Sequence, residues 1–184
     1  MACANCAPSP GKMIAINDKG DCIQCGGVLV REMHNNVQSQ KWDKYFSTIC
    51  KAVASKSPCL SRQIGVVLVR DKSIISTGYN GPARGFPHCE GPNCPRKDMG
   101  YKSGEGLEHC PAAHAETNAI ANAARIGTKV KGSTLYMNSV IPCKFCAVSI
   151  VNAGIREVVV DKLELYHPIT RDIFSMGDVI IRSF

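Results

Sequence analysis

Segments with helical and strand-like patterns alternate in the second half of the chain, and this alternation restricts the possible folds more than any other feature. The segments are a helix over 112–127, a strand over 133–138, a helix over 142–154 and a strand over 157–160. Gly127 and Gly154 stand where a left-handed glycine commonly ends a helix. Strands that alternate with helices in this way are typical of an α/β fold.

The first half of the chain adds another helix and a hairpin. Apolar residues recur at helical spacing from Lys41, and the pattern stops before Ser57-Pro58, where proline disfavours a helix. Residues 64–80 contain two apolar runs joined by Asp71-Lys72, which predicts two strands and a tight turn. The remaining predicted elements are a glycine-rich loop over 80–110, a helix over 167–176 and a strand over 178–184. Loops as long as the first of these are usually functional or held by ligands.

Eleven cysteines are unusual in a chain of this kind. The first residues lack the basic region and apolar run of a secretory signal, and no segment is apolar for long enough to cross a bilayer. We therefore expect a cytoplasmic protein without a membrane contact. Disulfides are rare in that compartment, so thiolates bound to metal are the leading interpretation of the cysteines.

Four of the cysteines form two Cys-x-x-Cys pairs near the start of the chain. The pairs are Cys3 with Cys6 and Cys22 with Cys25. This separation is the ligand spacing of a four-cysteine zinc site, and so short a tract needs a metal to fold. The sequence predicts a zinc-ribbon-like segment over 1–30 and a larger domain over 38–184, with a flexible tail or a redox pair as the alternatives.

Two further motifs lie at the starts of the two helices of the alternating region. They are His114-Ala115-Glu116 and Pro142-Cys143-Lys144-Phe145-Cys146. A catalytic zinc uses three protein ligands and leaves one position for water. His114, Cys143 and Cys146 supply three, because helix N-termini favour thiolates and cysteines three apart share a helix face.

Glu116 is placed to exchange a proton with a water whose pKa zinc lowers. H-x-E followed by P-C-x-x-C is the signature of zinc deaminases, so the sequence predicts zinc-dependent hydrolytic deamination. A closed zinc site and a metal-free site are the alternatives.

Beyond the zinc motif, residues 41–176 resemble the deoxycytidylate deaminase family of the cytidine deaminase-like superfamily. The resemblance rests on GYNGPARGFPHC over 78–89 and HAETNAI over 114–120. It implies a three-layer α/β/α fold with a mixed central sheet. It also implies hydrolysis of dCMP to dUMP and ammonia in a homo-oligomer, and many family members are hexamers regulated by dCTP and dTTP.

The resemblance implies contacts with the nucleoside as well. Asn80 would contact the sugar, the backbone N–H of Ala115 the base carbonyl, and Glu116 the ring nitrogen. Glu164 falls where the family commonly has a tyrosine beside the nucleoside, and Tyr166 is the candidate substitute.

Three cations are candidates for binding the substrate phosphate. They are Arg84, Lys144 and Arg171. We favour Arg84, because it follows the loop of Asn80 and a guanidinium can bind phosphate bidentately.

Many family members also carry a second zinc site beside the active site. By resemblance its ligands here would be four cysteines, with His88 or His109 as possible substitutes: Cys59, Cys89, Cys94 and Cys110. Such a closed site would fix the glycine-rich loop around a substrate. The total is then one catalytic and two structural zinc ions.

A formal net charge of +7 indicates anionic partners, but it does not distinguish a nucleotide phosphate from nucleic acid. Aromatic residues make up only 6% of the chain, which argues against stacking on single-stranded nucleic acid. A free nucleotide is therefore the favoured substrate. The alternatives are deamination of another amino-heterocycle, such as a modified nucleotide or a base within nucleic acid, and a non-catalytic module that binds nucleic acid or protein on the same scaffold.

Overall fold

Seven strands and five helices are assigned in the computed structural model, which describes residues 37–89, 94–102 and 105–184. The helices are α1 (Val37–Ala54), α2 (Pro95–Asp98), α3 (Ala115–Arg125), α4 (Lys144–Asn152) and α5 (Thr170–Met176), and a 3-10 turn spans Leu107–His109. The strands are β1 (Gly65–Arg70), β2 (Ser73–Tyr79), β3 (Gly81–Pro82), β4 (Ala112–Ala113), β5 (Thr134–Ile141), β6 (Glu157–Leu165) and β7 (Ile180–Ser183).

Five of the strands form one sheet in the order β2-β1-β5-β6-β7. Strand β1 runs antiparallel to both β2 and β5, whereas β5, β6 and β7 are parallel. Parallel neighbours need a crossover, and α4 and α5 provide the two crossovers. The mixed central sheet implied by the resemblance is confirmed.

Both faces of this sheet are buried, because side chains of β1 alternate between two apolar clusters. One cluster joins α1 to the sheet through Phe46, Cys50, Val67, Val69, Tyr136 and Val159. The other cluster brings α3, α4 and α5 to the opposite face, and it includes Val66, Leu68, Ala119, Leu135, Ile150 and Phe174. The three-layer α/β/α arrangement is therefore confirmed.

Local backbone geometry agrees with the turn and cap predictions. Asp71 and Lys72 have φ angles of 51° and 61°, as a tight hairpin turn of the mirror-image type requires. Gly127 and Gly154 follow α3 and α4 with φ angles of 73° and 72°. Both helices thus end in the left-handed conformation that glycine adopts without strain.

Several boundaries differ from the sequence prediction, and α3 for example begins at Ala115 rather than at residue 112. Helix α1 begins at Val37, and α5 begins at Thr170 rather than at residue 167. The described part of 80–110 holds short elements, since β3 pairs with β4 and α2 and the 3-10 turn lie between them. Strand β6 continues to Leu165, because its pairing with β5 resumes after two register shifts. The predicted segment over 1–30 lies outside the described residues, so that domain division stays a prediction.

Within the described residues, no helix combines the length and the apolar character needed to cross a bilayer.

Candidate metal centre and active site

The two ligand motifs occupy equivalent positions at the starts of α3 and α4. His114 is the N-cap residue of α3 and Cys143 is the N-cap residue of α4, both with extended backbone. Cys146 lies one turn into α4 and is only 2% exposed. The prediction that both motifs begin helices is confirmed.

The three predicted ligands lie together. His114 Nδ1 is 3.4 Å from Cys143 Sγ and 3.3 Å from Cys146 Sγ. Among the residues that the structure describes, this is the one group of three or more potential ligands with all its ligand atoms within 4.8 Å of one another. One imidazole and two sulfur atoms at this spacing fit a zinc ion with a fourth position open.

The thiols are already polarised for metal binding. A hydrogen bond from Cys146, supported by His114, lowers the pKa of Cys143 to about 3. The pKa of Cys146 is raised, because its thiol donates that bond and because it is buried near Glu116. The hydrogen bond with Cys143 also raises the pKa of His114. A divalent cation bound between the two sulfur atoms would favour ionisation of both thiols.

Glu116 lies in the first turn of α3 and is only 4% exposed. Burial raises the pKa of its carboxyl group, whereas the charge of His114 and hydrogen bonding from Cys146 act to lower that pKa. The carboxyl group is thus beside the ligand cluster and holds a proton more readily than an exposed glutamate does. This is the property expected of a group that accepts and returns a proton near neutral pH.

Strand β2 fixes α3 at very short range. A Cβ atom on Gly78 would lie 2.3 Å from the Ala119 nitrogen and 2.5 Å from the Ala115 oxygen, so only glycine allows this approach. Ser76 Oγ donates to the Ala119 carbonyl at 2.7 Å. The Asn118 side chain donates to the Tyr79 carbonyl at 2.8 Å. The first glycine of the GYNG motif therefore positions the helix that carries His114 and Glu116, a role that the sequence analysis missed.

The residues predicted to contact the nucleoside are placed as follows. Ala115 is fully buried at the first position of α3, between His114 and Glu116. Tyr166 is 42% exposed and its ring packs edge-on against His167 with a centroid distance of 4.8 Å. The ring nitrogen Nδ1 of His167 accepts the backbone N–H of Lys144 at 3.2 Å, one residue after Cys143. Tyr166 therefore contacts a residue that is hydrogen-bonded to the start of α4, next to Cys143.

Asn80 is buried and hydrogen-bonded within the protein. Its Oδ1 accepts bonds from Ser57 Oγ and from the Ile64 N–H, both at 2.8 Å. Its Nδ2 donates to the Arg62 carbonyl at 2.9 Å. Asn80 thus organises the segment between α1 and β1 in this structure, and its predicted contact with a sugar stays a prediction.

Two charged candidates lie on the surface. Arg84 is exposed and donates to Asn122 Oδ1 at 2.8 Å, which places its guanidinium beside α3. Glu164 is 67% exposed in its side chain and pairs with Lys162 at 3.9 Å. The carboxylate of Glu164 is therefore hydrated and partly neutralised.

The four cysteines of the predicted second site share one neighbourhood in a looser arrangement. Cys89 is buried, and its pKa is raised first by burial and then by the charges of Cys94, Cys110 and Cys59. Cys94 and Cys110 flank α2 and the 3-10 turn, respectively. The two candidate substitutes are His88, which is exposed, and His109, whose ring stacks on Tyr101 at 5.7 Å. The paired cysteines near the start of the chain lie outside the described residues.

The model of the zinc-binding region of cytidine and deoxycytidylate deaminases matches residues 40–162. The chain is 39% identical over 118 residues to the deoxycytidylate deaminase of Schizosaccharomyces pombe, which covers 64% of this chain and 36% of that protein. It is 35% identical over 145 residues to the deoxycytidylate deaminase of Saccharomyces cerevisiae, a match that covers 78% of this chain and 45% of that protein. The chain thus spans less than half the length of either yeast relative.

A solved structure of the dCMP deaminase from cyanophage S-TIM5 in complex with dCMP and dUMP superposes with a TM-score of 0.65. It covers 78% of this chain and 97% of the phage chain at 22% identity, which supports the fold. The matched region of the family model contains β1 to β5, most of β6 and both ligand motifs. The chain therefore belongs to the cytidine and deoxycytidylate deaminase family.

Proposed function

We propose that this protein is a zinc-dependent hydrolase that deaminates a cytosine nucleotide, with dCMP as the substrate and dUMP and ammonia as the products. The observation that carries the proposal is the cluster of His114, Cys143 and Cys146 with the buried carboxyl group of Glu116 beside it. The yeast relatives named above are deoxycytidylate deaminases, and the phage structure contains dCMP and dUMP. The family and the site thus support the same chemistry.

The three ligand atoms suit a zinc ion in number, type and spacing. A zinc ion held by His114, Cys143 and Cys146 supplies Lewis acidity, which lowers the pKa of water to near neutrality. These ligands lie at the starts of α3 and α4, so the fold brings them together before the substrate arrives.

Glu116 carries the protons of the reaction. The oxygen of water forms a bond to C4 of the cytosine ring, and the bond between C4 and the 4-amino nitrogen breaks. The two protons of that water end on the ring nitrogen N3 and on the departing ammonia. Burial raises the pKa of the Glu116 carboxyl group, so it can accept each proton and release it again within one turnover.

The nucleotide would lie against the ends of β2 and β6. Tyr166 supports the base or the sugar, because its exposed ring is held by His167 next to the metal centre. Arg84 would turn from Asn122 to the phosphate, since a single hydrogen bond between exposed groups is easily exchanged. Glu164 is a harmless replacement for the family tyrosine, because its carboxylate is exposed and paired.

We infer two structural zinc ions in addition to the catalytic one. The proximity of Cys59, Cys94 and Cys110 to Cys89 supports one of them. The Cys-x-x-Cys spacing near the start of the chain supports the other. We also infer a cytoplasmic setting, where free thiolates persist, and a homo-oligomeric assembly.

Ammonia release from dCMP tests the function, with CMP, deoxycytidine and single-stranded DNA run in parallel on zinc-loaded full-length protein. We expect turnover of dCMP and a loss of about 10²- to 10⁴-fold in kcat for Glu116→Gln. Asp172→Asn makes the same replacement at an exposed carboxylate of α5 and serves as the matched control. Turnover of none of the four substrates, or of DNA alone, would refute the proposal.

Metal analysis and light scattering test the remaining parts. We expect about three zinc ions per chain, and fewer than two would exclude the structural sites. A monomer by light scattering at assay concentrations would refute the assembly.

A further inference from the structure

Helix α4 begins without a conventional cap. The side chain of its N-cap residue, Cys143, makes no capping hydrogen bond. The first backbone N–H groups of any helix lack partners within the helix and need partners from elsewhere. At α4 one partner comes from 23 residues further along the chain, since the Lys144 N–H donates to His167 Nδ1 at 3.2 Å.

This hydrogen bond fixes one end of the peptide group that joins Cys143 to Lys144. The other end is fixed as well, because the Cys143 carbonyl accepts the Ala147 N–H at 2.9 Å. A peptide group is planar, so two hydrogen bonds on opposite sides set its orientation. This plane includes the Cα atom of Cys143, from which the side chain extends to place Sγ 3.4 Å from His114 Nδ1.

We propose that His167 is a positioning residue for the metal centre, which it stabilises by accepting the Lys144 N–H and thereby holding Cys143 in its ligand orientation. The inference rests on the metal site of the proposed function. His167 itself is outside the compact group of ligand atoms formed by His114, Cys143 and Cys146. It therefore acts through the backbone of α4 and not as a ligand.

The contact assigns His167 Nδ1 the role of acceptor, and a ring nitrogen that accepts a hydrogen bond carries no proton of its own. Neighbouring residues contact both the ring and the backbone of His167. Tyr166 packs edge-on against it at 4.8 Å, and the His167 carbonyl accepts the Thr170 N–H at 3.0 Å at the start of α5.

The side chain of Lys144 takes no part in this contact. Its Nζ lies 4.8 Å from the centre of the Phe145 ring, whereas the hydrogen bond to His167 is donated by its backbone N–H. Lys144→Ala therefore keeps the hydrogen bond and removes the charge, which makes it a matched control.

Three replacements of His167 separate the hydrogen bond from packing. The side-chain amide of asparagine can put an acceptor near the place of Nδ1, whereas the amide of glutamine reaches toward the place of Nε2. His167→Asn should thus restore the bond, and His167→Gln and His167→Ala should not. Full-length protein is used throughout.

Two measurements detect the effect of these replacements on the start of α4 and on zinc binding, and neither depends on deamination. The first is hydrogen exchange of the backbone amide at position 144, which should be about tenfold faster in His167→Ala and His167→Gln. The second is the release of zinc into a chromophoric chelator. The zinc that the parent releases and that Cys143→Ser does not release is assigned to this centre. Loss of a partner that orients a ligand typically weakens metal binding about 10- to 100-fold. We expect this weaker zinc binding in His167→Ala and His167→Gln. In His167→Asn and Lys144→Ala, amide exchange and zinc release should be close to those of the parent.

Three results would overturn the inference. One is unchanged amide exchange and zinc release in His167→Ala. Another is an asparagine variant as impaired as the alanine variant, which would show that ring packing matters and the acceptor does not. The third is equal zinc content in the parent and Cys143→Ser, because there would then be no ion for Cys143 to hold. A zinc-binding protein that fails to deaminate dCMP would contradict the proposed function while leaving the role of His167 standing.

Discussion

Gly78→Ala tests whether the approach of β2 to α3 sets the geometry of the active site. The added Cβ atom would lie 2.3 Å from the Ala119 nitrogen, and ordinary van der Waals contact begins at 3.4 Å. The helix must therefore retreat by about 1.1 Å, the difference of these two distances. The nearest atoms belong to the backbone of α3, so no side chain can rotate away to relieve the contact.

The displaced helix carries His114 and Glu116 at its start. A misplacement of about 1 Å can lower a catalytic rate on the order of 10²-fold, so we expect a loss of that size in kcat for dCMP. Overpacking also destabilises a core by about 1–3 kcal/mol. In a domain of this size that corresponds to a fall in Tm of about 2–4 °C per kcal/mol.

Ser76→Ala is the control for this experiment. It removes the hydrogen bond to the Ala119 carbonyl without adding volume, so it should cost about 1 kcal/mol and leave α3 in place. Ammonia release and thermal unfolding are measured on both variants. The reasoning is refuted if Gly78→Ala keeps parental kcat, or if Ser76→Ala loses as much activity as Gly78→Ala does.

Three more substitutions probe buried polar groups. Glu116→Gln should raise the Tm of chelator-treated protein by an amount equivalent to about 1 kcal/mol, because a buried carboxyl group is replaced by an amide; an unchanged or lower Tm would contradict this. Asn80→Ala removes three side-chain hydrogen bonds to segment 57–64 and should cost about 2–4 kcal/mol in urea unfolding; a cost below about 1 kcal/mol would mean that these bonds are not formed. In the parent, Arg182 Nη1 lies 2.8 Å from Oδ2 of the buried Asp43. Arg182→Met removes this cation from beside the carboxylate and should lower the free energy of unfolding by about 3–5 kcal/mol. Adding Asp43→Asn should recover part of that loss, and no recovery would show that the ion pair does not carry the effect.

The sequence was sufficient for the parts of this fold that depend on local patterns. Periodicity located α3, β5, α4 and the hairpin, because each buries one face or both against the sheet. The ligand residues could be found for a related reason. His114 and Cys143 stand at helix starts, and helix starts are marked in the sequence by proline and by the onset of apolar periodicity.

Features that depend on contacts between distant residues could not be read in the same way. His167 meets the Lys144 N–H only because the connection from β6 to α5 folds over the start of α4. Asn80 was interpreted from its motif, yet the structure gives its side-chain atoms partners in a segment about 16 to 23 residues earlier. Backbone groups carry no sequence signal of their own, so partners of this type appear only in three dimensions.

Both helices that supply the ligands have a predicted metal ligand as their N-cap residue. Neither His114 nor Cys143 makes a side-chain capping bond, and a missing cap costs a helix about 1 kcal/mol. The thiol groups of Cys143 and Cys146 also lie near the buried carboxyl group of Glu116, and without a cation the charges of Glu116 and Cys143 disfavour the ionisation of Cys146. Metal binding and the order of these two helix starts should therefore be linked.

Removal of zinc should lower Tm, and the loss of protection against hydrogen exchange should be uneven along the chain. We expect the amides at 115–118 and 144–147 to exchange first, while those of β1 keep their protection, because β1 is buried on both faces far from the ligand atoms in sequence. Cys143→Ser should reproduce the local pattern without a chelator, which separates this centre from any other zinc in the chain. Uniform loss of protection would mean that the metal stabilises the whole domain, and the argument from the uncapped helix starts would then be wrong.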